Sequence, residues 1–193
     1  MKLLLSFLFM IPFLFPAQAQ HIPAEVQIKS AVMAAPAEDR DGATVMGYDE
    51  SGNLVVLRQG SNQLVCIADD PQSEGVNIAC YHIDLEPFMK RGRELRAEGK
   101  GRMDVFNMRE EEVASGKLIM PENPTTLHIL YGPDEILNTA TGEISGGKMR
   151  WVVYIPYATA ESTGLPLKPS GPGTPWLMDP GTHRAHIMIT PEQ

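Results

Sequence analysis

The apolar positions of this chain change period along its length, and each change predicts a different element. Residues 3–15 are an almost unbroken apolar run behind Lys2, followed by Ala17-Gln18-Ala19. Residues 23–34 (PAEVQIKSAVMA) place Val26, Ile28, Val32 and Met33 on one rough side, which predicts a short helix stopped by Pro36. From residue 43 the pattern shortens to strands at 43–48, 54–57, 64–68 and 76–82, separated by turn-forming stretches. Asp49 to Asn53 has a mechanism for turning, since Gly52 and Asn53 tolerate positive φ and Asp49 can bond its own backbone. Read in order, these four strands predict an antiparallel meander.

The period then becomes helical. Asp84 is a plausible cap, Leu85, Phe88, Met89 and Leu95 recur at helical spacing, and Gly99 suits a helix end. A second helix is expected over 102–114, with Val105, Met108 and Val113 on one side and Ser115-Gly116 after it. Strands follow at 127–131, 149–155 and 185–190. Between 156 and 182 lie six prolines and four glycines with no period, yet Tyr157, Leu165, Trp176, Leu177 and Met178 sit among them. Long loops without structure are uncommon in compact domains and tend to be functional. The expected fold class is α+β: an antiparallel sheet with a helical hairpin packed on one face.

The first apolar run is too short for a span of about 20 residues and is broken by Pro12 and Pro16. It reads as a cleaved signal peptide over residues 1–19, followed by a short helix and linker at 20–42. One α+β domain at 43–193 carries the long loop. Removing nineteen of the 193 residues leaves 174, ample for one core. The leader holds one lysine and no acid, so 16 basic against 24 acidic residues becomes 15 against 24, a formal −9. Such a surface repels phosphate backbones and anionic lipid, so no nucleic-acid partner and no membrane span are expected. The protein is expected to be secreted or periplasmic.

Two cysteines, Cys66 and Cys80, make an even count in an exported chain, which favours a disulfide over a nucleophile served by His82. If they face each other across a hairpin, Leu64 pairs with His82, and the turn falls on residues 71–75.

Candidate chemistry is sparse. His183 and His186 have H-x-x-H spacing, but on a strand residues three apart point to opposite faces, and no Glu or Cys stands at a zinc-ligand spacing. No metal and no cofactor are expected. His82 and His128 lie on strands and could join them only if the sheet brought them to one face. Glu161 and Ser162 could act as base and nucleophile, though no G-x-S-x-G elbow surrounds Ser162. Tyr157 and Trp176 would suit a ligand pocket. The basic residues between Lys90 and Arg102 alternate with Glu94 and Glu98, as expected of a helix face held by ion pairs. The candidate ligand-binding residues are therefore Tyr157, Glu161, Trp176, His183 and His186.

Several stretches together resemble a family of uncharacterised secreted bacterial proteins. They are GYDESGNLVVLRQGSNQLVCIADDP, ACYHIDLEPFMKRGRELRAEGK, YIPYATAESTGLP and PWLMDPGTHRAHIMI. The resemblance implies export and a bacterial source, and it implies no activity. The expected function is non-catalytic binding of an unknown small molecule or protein through the 156–182 loop. The alternative is a periplasmic hydrolase or metal-dependent enzyme using Glu161, His183 and His186.

Overall fold

A computed structural model describes residues 22–192, so the leader read at 1–19 lies outside the described residues. Eight strands form one sheet in the order β2-β1-β3-β4-β5-β6-β8-β7. They are β1 Thr44–Tyr48, β2 Leu54–Arg58, β3 Leu64–Ile67, β4 Val76–His82, β5 Thr125–Gly132, β6 Lys148–Tyr154, β7 Trp176–Met178 and β8 His186–Ile189. The helices are α1 Ala24–Ala31, α2 Glu86–Ala97, α3 Arg102–Ala114 and the single turn α4 Ala160–Thr163. The fold is α+β, with helices packed against the sheet.

The disulfide sits where the register argument puts it. Cys66 opposes Cys80 and Leu64 opposes His82. Gln63 O accepts the Ile83 N–H at 2.8 Å. Counting from that bonded pair, Cys66 and Cys80 occupy a non-hydrogen-bonded position, where the two chains approach most closely. Their Cα atoms are 4.0 Å apart, and both residues are fully buried. In the chain-entropy description a cross-link over 14 residues stabilises by about 3 kcal/mol.

The sheet is mixed, and this corrects the antiparallel meander. β2 returns along the outer side of β1, but β3 then lies on the other side of β1 and runs parallel to it, Val45 opposite Cys66. Residues 59–63 make the crossing at the start of β1. Gly42 O accepts the N–H groups of Ser61 (2.7 Å) and Asn62 (3.0 Å), and the Asn62 amide donates to Asp39 O (2.8 Å). Gly60 makes this passage possible, since a Cβ there would stand 2.2 Å from Thr44 N and 2.4 Å from Gly42 O.

One face of the sheet buries Val45, Cys66, Ile78, Cys80 and Leu130 against Ala31, Ala34 and Ala35 of the N-terminal helical segment. Buried Gln27 of α1 is bonded to both backbone groups of Tyr48, donating to its carbonyl (2.8 Å) and accepting its N–H (2.7 Å). It acts as a one-residue strand partner for β1 and fixes α1 on the sheet.

The opposite face takes the α2–α3 hairpin, and burial there is graded across neighbouring rows. One row runs Val65, Tyr81, Leu127, Val152, Met188, and all five are buried beside Phe88 of α2 and Leu85 just before it. The next row, Met46, Ile67, Ala79, Ile129, Arg150, is half-buried throughout. In the third, Asn77 and Lys148 are exposed and Tyr131 is half-buried. The hairpin therefore covers one end of this face and leaves the other open.

The 156–182 segment contains α4 and β7, so its expected lack of regular structure is corrected as well. β7 adds an edge strand through Trp176 opposite Met188 and Met178 opposite His186. At three residues, flanked by Pro175 and Pro180, it has too short a pattern to read as a strand.

Gly60→Ala is expected to destabilise the domain by about 1–3 kcal/mol, because the new methyl meets backbone rather than a movable side chain. A urea midpoint unchanged from wild type would contradict this account of the crossing.

Candidate functional site

Two constructions flank the half-covered face, a buried polar knot and an open trough. The knot forms where the segment after β6 meets the turn before β8. Tyr157 N–H donates to Thr182 O (2.8 Å), and Gly181 N–H donates to Ala158 O (2.8 Å). Tyr157 (φ 62°) and Asp179 (φ 52°) both adopt left-handed backbone, unusual for residues carrying a Cβ. The Asp179 carboxylate accepts the Arg184 guanidinium through Nε and Nη2, each at 2.6 Å.

His183 is fully buried in this knot. Glu110 of α3 holds it twice with one oxygen, accepting the His183 backbone N–H at 3.0 Å and its Nδ1–H. The ring packs between Phe88, edge to face (5.5 Å), and the tilted ring of Phe106 (5.2 Å), and among the described residues Nε2 has no partner. Burial pushes its pKa down, opposed by Glu110 and aided by Arg109 and Arg184. The neutral ring is the form that fits, since protonation would put an unpartnered N–H against two aromatic rings. His186 is also buried, donates Nδ1–H to Arg184 O (2.7 Å) and lies beside the Tyr154 ring (5.3 Å). Its pKa too is lowered, chiefly by burial.

Arg109 closes the knot from below. Its guanidinium lies 3.8 Å from the centre of the Phe88 ring and donates to Phe88 O (3.1 Å). Burial pushes its pKa down to about 10. Gly92 of α2 makes room for it, as a Cβ there would stand 2.8 Å from Arg109 Nη1.

The sequence candidates do not gather. Glu161 is exposed on α4, where hydrogen bonding to Thr159 holds its carboxyl below the usual range. Ser162 accepts the Thr159 N–H (2.9 Å), and Thr159 accepts the Ser162 N–H (3.2 Å), a reciprocal cap that uses both side chains locally. His183 and His186 each have their own partner. His82 and His128 lie on the α1 face, His128 directly opposite Cys80, whereas His186 lies on the hairpin face opposite Tyr154. Among the described residues no group of three His, Cys, Asp or Glu could hold a metal ion. Tyr157 is exposed and contributes its backbone to the knot. Of the five, Trp176 lines an open recess in the sheet face.

That recess is a trough of about 730 Å³ along the β6–β8–β7 side of this face. Trp176, Met178, Met188, Tyr131, Lys148 and Arg150 line it from the sheet face, and Pro169, Gly171, Pro172 and Thr174 form a wall from the Pro/Gly segment. The wall is built by short-range bonds. Thr174 Oγ1 accepts the Gly171 N–H (3.1 Å) and donates to Gly171 O (2.6 Å), and Gly173 N–H donates to Thr190 O (2.7 Å). Gly173 has φ +72°, which its neighbouring residue types would reach only with strain.

A second groove of about 1060 Å³ lies between α2 and the β3–β4 turn. Arg93 and Arg96 stand on one side, Asp69 and Asp70 on the other. Arg93 is already paired with Glu86 at 2.6 Å. Tyr48 on its floor has a pKa pushed up to about 12 by burial and by Asp70 and Asp69.

Sequence reasoning missed Glu110, Arg109, Asp179, Arg184 and Arg150. A signal existed for Arg109 alone, which lies between Val105 and Val113 at four-residue spacing, a cation on the apolar stripe of α3. No protein-family model, curated protein or solved structure matches this chain.

His128, His183 and His186 all have pKa values below the ordinary 6.5, chiefly through burial. Groups depressed in this way bind protons more tightly when unfolded, so the stability they contribute is present above 6.5 and is lost as pH falls. Side-chain NMR is expected to place their midpoints below 6.5, with a urea midpoint lower at pH 5.5 than at pH 7.5. Midpoints at or above 6.5 would contradict the neutral, buried assignment.

Proposed function

We propose that this is an exported, non-catalytic protein that binds a small molecule in the trough between the sheet face and the Pro/Gly segment. The observation that carries this reading is the trough itself. It has the size and lining of a small-molecule site, apolar and aromatic with a few polar groups, and its wall is held in place by bonds of its own. The knot supports the reading as a foundation. It ties the two ends of the segment to each other and, through His183, to Glu110 of α3, so the wall is anchored at its base.

Export is supported by the leader-like start, by the buried Cys66–Cys80 disulfide and by the resemblance to secreted bacterial proteins. Among the described residues no helix is long and apolar enough to cross a membrane. The hydrolase or metal-enzyme alternative draws no support from the arrangement, in which Glu161 is exposed on α4 and the two histidines face different partners.

The uncharged fluorophore N-phenyl-1-naphthylamine is expected to bind the folded protein with enhanced emission. With Trp151 replaced by Phe, it should also take energy from Trp176, then the chain's sole tryptophan. Trp176→Ala should weaken binding about tenfold, read from the probe's own emission. No binding, or binding indifferent to Trp176→Ala, would defeat the site assignment. For export, intact mass of the protein recovered outside the cytoplasm is expected to start near Gln20, and retention of Met1 would contradict it.

A further inference from the structure

We infer that the trough selects an amphipathic anion, a carboxylate or other oxyacid head on a planar or apolar body. This rests on the trough being the ligand site, and it adds the ligand's chemical class. Lys148 and Arg150 alternate onto the same face of β6, about 6.6 Å apart along the strand, so one oxyacid group can reach both. The Arg150 guanidinium lies over the Tyr131 ring, 4.7 Å from its centre. That contact restrains the guanidinium beside Lys148, and a guanidinium can bond an oxyacid with two parallel N–H donors.

Neither cation is already satisfied. Among the described residues Lys148 and Arg150 form no ion pair, and Glu192, which borders the same trough, bonds neither. By contrast Arg91 is paired with Glu112, Arg93 with Glu86 and Arg184 with Asp179. In a chain of formal charge −8, two free cations beside an aromatic lining are a local exception to the field around them. The apolar lining supplies the second half of the specificity. Trp176, Met178 and Met188 offer a flat, polarisable bed for a ring system or an acyl body. The larger groove beside α2 lacks this asymmetry, because Asp69 and Asp70 face its arginines and Arg93 is already bound to Glu86.

The test uses two probes that differ only in one anionic group, 8-anilino-1-naphthalenesulfonate and N-phenyl-1-naphthylamine, on the folded mature protein. Arg150→Gln and Lys148→Gln are each expected to weaken the sulfonate about tenfold and to leave the uncharged amine within about twofold. Raising sodium chloride from 0.05 to 0.5 M should, in the same way, weaken the sulfonate alone. Far-UV circular dichroism and melting temperature confirm that both variants fold, and either variant suffices if the other does not. If the substitutions change both probes alike, or neither, the anion inference is overturned while trough binding of the uncharged probe still stands. If neither probe responds to Trp176→Ala, the site itself is lost and the proposed function fails with it.

Discussion

The register between β3 and β4 is the constraint from which the rest follows. Cys66 and Cys80 meet at one cross-strand position, and because side chains alternate, that single pairing assigns every neighbour to a face. Cys66 and Cys80 go to the α1 side, where Cys80 Sγ lies 3.2 Å from Ala31 O, and Val65 and Tyr81 go to the hairpin side. A slip by one residue would turn Tyr81 away from Phe88 and Leu85 and set the two half-cystines against the hairpin. A covalent bond forbids the slip. β4 then hands the register to β5 and β5 to β6, which is how Tyr131, Lys148 and Arg150 come to the open part of the face.

Coverage decides where a site can exist. An eight-stranded sheet is wide, and on this face the Val65–Met188 row and its neighbours Thr125, Tyr154 and His186 are buried, while the Met46–Arg150 row is only half-buried. Residues beyond that edge need another cover, and on the β6–β8 side the chain supplies it with its own Pro/Gly segment. That segment is bonded to the sheet edge, where Gly173 N–H donates to Thr190 O and Leu177 N–H to Pro166 O, and its prolines line the trough beside β7 and β8. The gap between wall and sheet is the trough. The charged groups of the knot serve this geometry: Glu110 and Asp179 fix the chain on either side of His183, and Arg109 fills the space that Gly92 leaves in α2.

Much of the secondary structure was legible because periodicity and turn chemistry agreed. Residues 76–82 and 102–114 form the strand and helix expected of them, and Asp49 accepts the N–H groups of Ser51 and Asn53 as the turn reading required. The failures have physical causes. Nothing in the local pattern tells β3 which side of β1 to take, since both placements bury the same alternating residues; the passage past Thr44 at Gly60 decides it. β7 is too short to show a period. Of the five residues the sequence grouped, Trp176 lines the trough, whereas Tyr157, Glu161, His183 and His186 do not, because proximity in sequence does not place side chains on one surface.

The sequence by itself determined the α+β class, the strand pairing at the two cysteines and the helical hairpin, because each depends on spacing within about twenty residues. Only the tertiary structure decided the parallel placement of β3, the open half of the sheet face and the meeting of Trp176 with Tyr131 and Arg150. Those three residues come from three separate strands, β7, β5 and β6. A chain reads out its local periods, but which side chains share a surface depends on strand order and on what covers the sheet, and both are settled by packing between distant segments.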